Sequence, residues 1–259
     1  MRHSKIVVIA SFLFHINGRA FSQDAIMIHQ GEIEFERRLN AFAILDQYYS
    51  TDATTGGGQF AQQYKANNPQ FKTSRFILSF NDDLSYYAPG PADQTKPNPF
   101  LSTLAESNIV YSDLKAKTST TEKSILGKSY LISDSIRKIH WKITSEIKTI
   151  AGFSCRRANA IIMDSVYVVA FYTDEIIPKG GPESFTGLPG MILGIALPYD
   201  HTTWFATRVS LKPVPNTQFR SPAGEKKISN KELKDILTND PTIKMDQHKQ
   251  DLYFHKLLL

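Results

Sequence analysis

From residue 73 to residue 211 the chain repeats one rhythm: a short apolar-rich run, then a turn-forming pair. Gly127-Lys128, Asp134-Ser135, Ala151-Gly152 and Asp164-Ser165 separate runs at 109–116, 123–126, 129–132, 139–150, 153–163 and 166–173. Separators this short join antiparallel neighbours, because a parallel pair needs a crossover of about a dozen residues or more. The expected fold class is therefore mainly β. We expect an antiparallel meander curved into a half-barrel or open sandwich, with a few short helices.

Within the meander the apolar pattern has period two. Ile139, Trp141 and Ile143 alternate with His140, Lys142 and Thr144, which predicts a half-buried strand over 139–150. The run 166–173 differs. Val166, Val168, Ala170 and Tyr172 on one side, and Tyr167, Val169 and Phe171 on the other, are all apolar or aromatic. Such a strand is expected to be covered on both faces. The nearest cover in sequence is 178–190, where Pro178, Pro182 and Pro189 fix φ and Gly180, Gly181, Gly187 and Gly190 allow close approach. With Phe185, Leu188, Met191 and Ile192 as apolar anchors, this stretch reads as a rigid plug laid over the sheet. Its functional counterpart is the lip of a binding groove. The candidate ligand- or partner-binding residues are accordingly Phe185, Gly187, Leu188, Pro189, Gly190 and Met191, with Trp141 and Phe171 on the flanking strands.

The remaining segments are simpler. Residues 25–37 read as a half-buried strand through the alternation of Ile33 and Phe35 with Glu32, Glu34 and Glu36, and 73–80 pairs with 84–87 across Asn81-Asp82-Asp83. Helices are expected at 41–49, at 59–66 and at 229–238, the last opened by Ser229 and Glu232. The tail to residue 259 is expected to be helical in part. Gly56-Gly57-Gly58 lacks the Gly-Lys-Ser/Thr ending and the preceding strand of a phosphate loop, so it reads as a linker. Residues 88–100, with four prolines, read as a loop.

Residues 1–22 read as an export signal. Arg2 and Lys5 precede an apolar stretch at 6–16, and Ala20-Phe21-Ser22 places small residues before Gln23. The stretch is shorter than the roughly 20 apolar residues of a membrane-spanning helix. Residues 23–259 are then expected to form a single β-rich domain with a partly helical C-terminal tail (about 229–259). The whole chain has 30 Lys+Arg against 25 Asp+Glu. Three of those bases and none of the acids lie in the signal, so the mature chain is near balance and nucleic acid is not an expected partner. A single cysteine, Cys155, excludes an internal disulfide.

Chemistry-bearing patterns are sparse. His29, His140, His201, His248 and His255 fall at no HxH, HxxxH or HExxH spacing. Pairing across Ala151-Gly152 sets Cys155 opposite Lys148, away from His140, so a Cys-His pair is not assembled. A hydrolase would require His140 or His201 to converge with acids and Cys155. No catalytic residue, metal or cofactor is expected.

Gly187-Leu188-Pro189-Gly190-Met191-Ile192 resembles the signature of the GLPGLI family, uncharacterised exported proteins of Porphyromonas-type Bacteroidetes, with Met191 in place of leucine. Trp141-Lys142-Ile143-Thr144, 150–158 and 170–178 are similar to the family's flanking strands. The resemblance implies export to the periplasm or outer surface of a Gram-negative cell, and carries no catalytic residues. The functional expectation is a non-catalytic binding or carrier protein for a hydrophobic small molecule. The alternative is an accessory component that binds an envelope protein of an outer-membrane transporter or secreted assembly.

Overall fold

A computed structural model describes residues 27–49, 57–91, 107–125, 127–224 and 226–240. The segment expected to be an export signal, 1–22, residues 92–100 of the proline-rich loop, and the tail beyond 240 lie outside the described residues. The fold is mostly β. The strands are β1 (Gly31–Asn40), β2 (Phe71–Phe80), β3 (Leu84–Pro89), β4 (Ile109–Asp113), β5 (Thr118–Ile125), β6 (Lys128–Ser135), β7 (Lys142–Ile150), β8 (Phe153–Ile162), β9 (Val166–Thr173), β10 (Met191–Leu197), β11 (Thr202–Ser210) and β12 (Lys227–Ile228). Three short helices accompany them: α1 (Ala41–Tyr49), α2 (Gly57–Asn67) and α3 (Asn230–Thr238).

All twelve strands belong to one sheet, in the order β12-β6-β5-β4-β3-β2-β1-β11-β10-β9-β8-β7. It contains two meanders, β1 to β6 and β7 to β11, joined by the long-range antiparallel pair β1–β11. One pair departs from the expected antiparallel pattern: β12 runs parallel to β6. The chain reaches β12 only after the loop and 3-10 turn that follow β11, which is crossover enough for a parallel strand.

The link between the meanders forces the sheet to curve. β6 and β7 lie ten strand spacings apart in the order, about 48 Å if the sheet were flat. Only residues 136–141 connect them, and a fully extended chain from Ser135 to Lys142 reaches about 25 Å. The two ends must therefore curl towards each other, without closing into a barrel. The strap's last three residues, 139–141, fall where sequence periodicity predicts the start of a strand. Ile139 and Trp141 belong to the strap, and β7 starts only at Lys142, because they pack against the core cluster instead of pairing with β8.

Residues 176–191 form a loop that fills the inside of the curve. Its base is closed by Met191 N–H donating to Ile176 O at 3.1 Å and Ile192 N–H donating to Gly180 O at 2.9 Å. Ile28 pairs with its first turn in a parallel bridge. Phe185, Leu188, Met191 and Ile192 join Phe35, Phe76, Tyr87, Ile195 and Trp204 in one core cluster. Trp141 clamps the loop from the strap side, its Nε1–H donating to Thr186 O at 2.9 Å.

The doubly apolar β9 is explained by two covers. The plug lies on the face that Trp204 presents. On the other face Phe171 meets Phe205, 6.2 Å between ring centroids. There the tip of the β7–β8 hairpin folds back, and Lys148 places its ammonium 4.8 Å from the Phe205 ring. The helices close the ends. Leu39 and Leu45 pack with Ala61 and Tyr64 where β1 runs into α1. Leu233 and Leu237 of α3 pack on Ile125 and Ile132.

Gly190 is where the plug rejoins the sheet. It sits at φ +148, and a Cβ there would overlap the carbonyl oxygen of Thr173. Gly187, at φ +94, has more room, since its Cβ would stand 3.5 Å from Trp141 Nε1. Gly190→Ala is expected to cost about 3 kcal/mol or more, from backbone strain together with the overlap on Thr173 O, and Gly187→Ala about 1 kcal/mol, from backbone strain. Urea denaturation of the two variants checks this order; equal losses would show that the plug is not docked as described.

Candidate functional site

The plug carries one charged side chain inward. Glu183 occupies the left-handed region at φ +54, a conformation that costs a residue with a side chain about 1–3 kcal/mol. It is only 4% exposed. Its Oε2 accepts a hydrogen bond from Asn108 Nδ2 at 2.9 Å. Lys123 of β5, Arg37 of β1 and Tyr87 of β3 are buried near it.

Register explains the convergence. Tyr87 lies opposite Val110, and Val110 opposite Thr121, so these three share a face. Lys123, two residues beyond Thr121, lies on the same face. From the other meander Trp204 lies opposite Arg37, whose guanidinium is 5.6 Å from the indole centroid. The plug therefore lowers a carboxylate onto the seam between the meanders, where cations arrive from two separate strands.

Burial dominates the electrostatics. It holds the Glu183 carboxyl above its usual range, opposed by the Asn108 hydrogen bond and by the charges of Lys123 and Arg37. It pushes the Lys123 ammonium down to about 8, with Glu183 opposing that shift and Arg137 of the strap adding to it. Burial, then the Glu183 charge, raises the Tyr87 hydroxyl. Glu183 Oε1, Tyr87 Oη, Asn108 Oδ1 and Trp204 Nε1 lack a hydrogen bond of good geometry, although Tyr87 lies close enough to Trp204 and Glu183 for both to act on its hydroxyl. Incompletely satisfied buried polar groups cost about 1–3 kcal/mol each, so a cluster of them marks strain or function.

Beside this cluster the plug, the strap, β5, β6 and the first turn of α3 meet around a cleft of about 50 Å³. Lys123, Arg137, Ser135, Ser184, Asp134 and Asn230 line it. Asp134 is held by α3: its Oδ2 accepts from the Asn230 backbone N–H at 3.3 Å and from Asn230 Nδ2 at 3.2 Å. That helix start is fixed in turn by a reciprocal cap, Ser229 Oγ accepting from Glu232 N–H and the Glu232 carboxylate accepting from Ser229 N–H. A second cavity, about 80 Å³, lies between Ile147, Arg156, Tyr172 and Asp174. It is larger but is built on neighbouring strands of one meander. The first draws on five separate elements and includes a buried cation, and we take it as the candidate site.

The sequence-derived candidates divide. Phe185, Leu188 and Met191 are at most 2% exposed and are anchors against the chain's own sheet. Gly190 is buried at the plug base, while Gly187 and Pro189 reach the surface. Trp141 touches the plug through its bond to Thr186. Phe171 stands apart, under Lys148 on the opposite face. The apolar groove pictured from sequence is thus occupied by the plug itself. Glu183, Lys123, Arg37, Tyr87 and Asn108 were not among those candidates. The available signals were a lone acid inside an apolar Gly/Pro stretch, and a lysine in phase with Ile125 on β5.

Cys155 lies opposite Lys148, as the hairpin register requires. Burial first, with the Glu175 charge adding, raises its thiol to about 12, so it is protonated at neutral pH. His140 is exposed on the strap. Among the described residues no three His, Cys, Asp or Glu side chains gather as a metal site. No described helix is long and apolar enough to cross a membrane.

A family described as "Protein of unknown function (Porph_ging)" matches residues 161–194, the span that holds β9 and the plug. No curated protein matches the chain. Two solved structures of PNGF-II, in the P21 and C2 space groups, are similar at 15% sequence identity and a TM-score of 0.51. The likeness covers 82% of this chain and 33% of theirs, so the chain spans about a third of the PNGF-II length. At that identity the shared property is the fold.

The buried pair gives a pH signature. The folded Lys123 pKa of about 8 lies below the ordinary 10.5. The unfolded chain therefore binds more protons between those values, and stability rises with pH across the window. Lys123→Met should flatten that rise; comparison with wild type cancels the Tyr87 contribution. Because the two groups share one environment, Lys123→Met/Glu183→Gln should lose less stability than the two single changes added, by about 1 kcal/mol or more. Urea titrations from neutral to alkaline pH check both. Strict additivity would mean that the pair is not coupled.

Proposed function

We propose that this chain is an exported, non-catalytic binding module of the cell envelope, of the GLPGLI type, that takes a polar ligand at the plug–strap cleft. The observation that carries the reading is convergence: side chains from five separate elements meet around one polar concavity. Polar groups placed together from distant parts of a chain are the ordinary construction of a binding site. The carrier expectation is refined in one respect. A hydrophobic ligand would compete with Phe185, Leu188 and Met191 for the same apolar surface, whereas the cleft is open and polar.

A second reading, an accessory component that binds an envelope protein, draws on the comparison with PNGF-II. There the similar fold forms one part of a longer polypeptide, as accessory modules do. Under this reading the edge strand β7 would accept a partner strand.

Two measurements test the proposal. In a Gram-negative host the full-length chain should be recovered from the envelope or medium, with an intact mass that begins at Gln23. An unprocessed cytoplasmic product would remove the export part. A thermal-shift panel of small polar molecules, including sugars, peptidoglycan fragments, nucleotides and organic acids, should yield at least one binder. That binder should be lost in Ser135→Trp, which fills the cleft from an exposed position. A panel without binders, or binders indifferent to Ser135→Trp, would overturn the cleft as the site.

A further inference from the structure

The charge and size of the cleft narrow the ligand further. Lys123 and Arg137 come from β5 and the strap, and they lie close enough for the Arg137 charge to disfavour the protonated form of Lys123. Two cations held against one concavity are destabilised by each other, and an anion between them relieves both. Both nearby acids are engaged within the protein: Asp134, itself on the cleft lining, accepts from Asn230 of α3, and Glu183, bound by Asn108, is the counter-charge of Lys123 and Arg37.

Hydroxyl groups complete the lining. Thr121, Ser135 and Ser184 each reach the cleft. An arginine fork, an ammonium and hydroxyl donors around a small space form the donor set that oxyanions take. Size then decides between a headgroup and a whole ligand. Sites for drug-sized molecules run from about 300 Å³ upward, and this cleft holds about 50 Å³.

We propose that the cleft is a receptor for a compact oxyanion, a phosphate or carboxylate group carried by a small molecule whose remainder stays in solvent. This rests on the reading of the cleft as the binding site. Arg137 is the specificity-determining residue, since its side chain forms the wall that the strap contributes. Lys123 supplies the second charge from beneath.

Titration calorimetry on the full chain, with inorganic phosphate and acetate as separate probes, tests the assignment. Wild type should bind at least one of them saturably, and the preferred probe distinguishes phosphate from carboxylate. Arg137→Gln should weaken that binding about tenfold or more, and Arg137→Lys should restore part of it. Ser135→Trp should abolish it, with circular dichroism and the melting temperature of each variant checked without ligand. Absence of saturable binding of either anion up to about 10 mM, or equal binding by Arg137→Gln and wild type, overturns the inference. If instead a neutral panel molecule binds in a manner sensitive to Ser135→Trp while both anions fail, the oxyanion assignment falls and the binding-module reading stands.

Discussion

A short strap bends this protein. The two meanders are joined at β1–β11, and their far edges are tied by residues 136–141. That chain is about half as long as a flat sheet would need. Curvature follows from covalent length before any side chain is considered. The curved sheet then needs something inside it, because its inward-facing residues, Phe35, Phe76, Leu78 and Ile195, are apolar and fully buried. The 176–191 loop supplies that filling, and the strap's Trp141 holds it in place.

A loop that only filled space would have no reason to carry a carboxylate inward. Glu183 does so in a strained backbone conformation, onto a surface that already holds Lys123, Arg37 and Tyr87. Burial of an ion pair rarely adds net stability, since desolvation offsets the attraction. The cluster is better understood as what fixes one docking position for the plug, and Lys123 connects it to the cleft alongside. The family match at residues 161–194 covers this same element, and the likeness to PNGF-II extends over most of the chain.

Much of the architecture was legible because it is local. The turn pairs set hairpin register, so Lys148 opposite Cys155 followed from the position of Ala151-Gly152 alone. Ser229 and Glu232 announced α3 because a capping box is a four-residue interaction. The need for two covers on β9 followed from its alternation. The identity of the second cover did not, because the hairpin tip reaches Phe205 only through the curl of the sheet. Trp141 shows the reverse error: its alternation with Ile143 suggested one strand, yet tertiary packing drew it into the strap. For the candidate site, Phe185, Leu188 and Met191 stood out in the sequence and are buried against the sheet, as a plug requires, whereas nothing local marked the residues of the cleft as one site.

The sequence by itself determined the strands, their turns, the capped helix and the rigid plug, since each depends on residues a few positions apart. Only the tertiary structure decided that β1 meets β11, that β12 runs parallel to β6, and that Arg37, Lys123 and Glu183 share one buried space. Those three charges are separated by dozens of residues, and no local propensity records which distant strand will lie beside another. Their meeting is fixed by chain length and core packing, so the cleft that Lys123 lines emerges only once the sheet has curved around its plug.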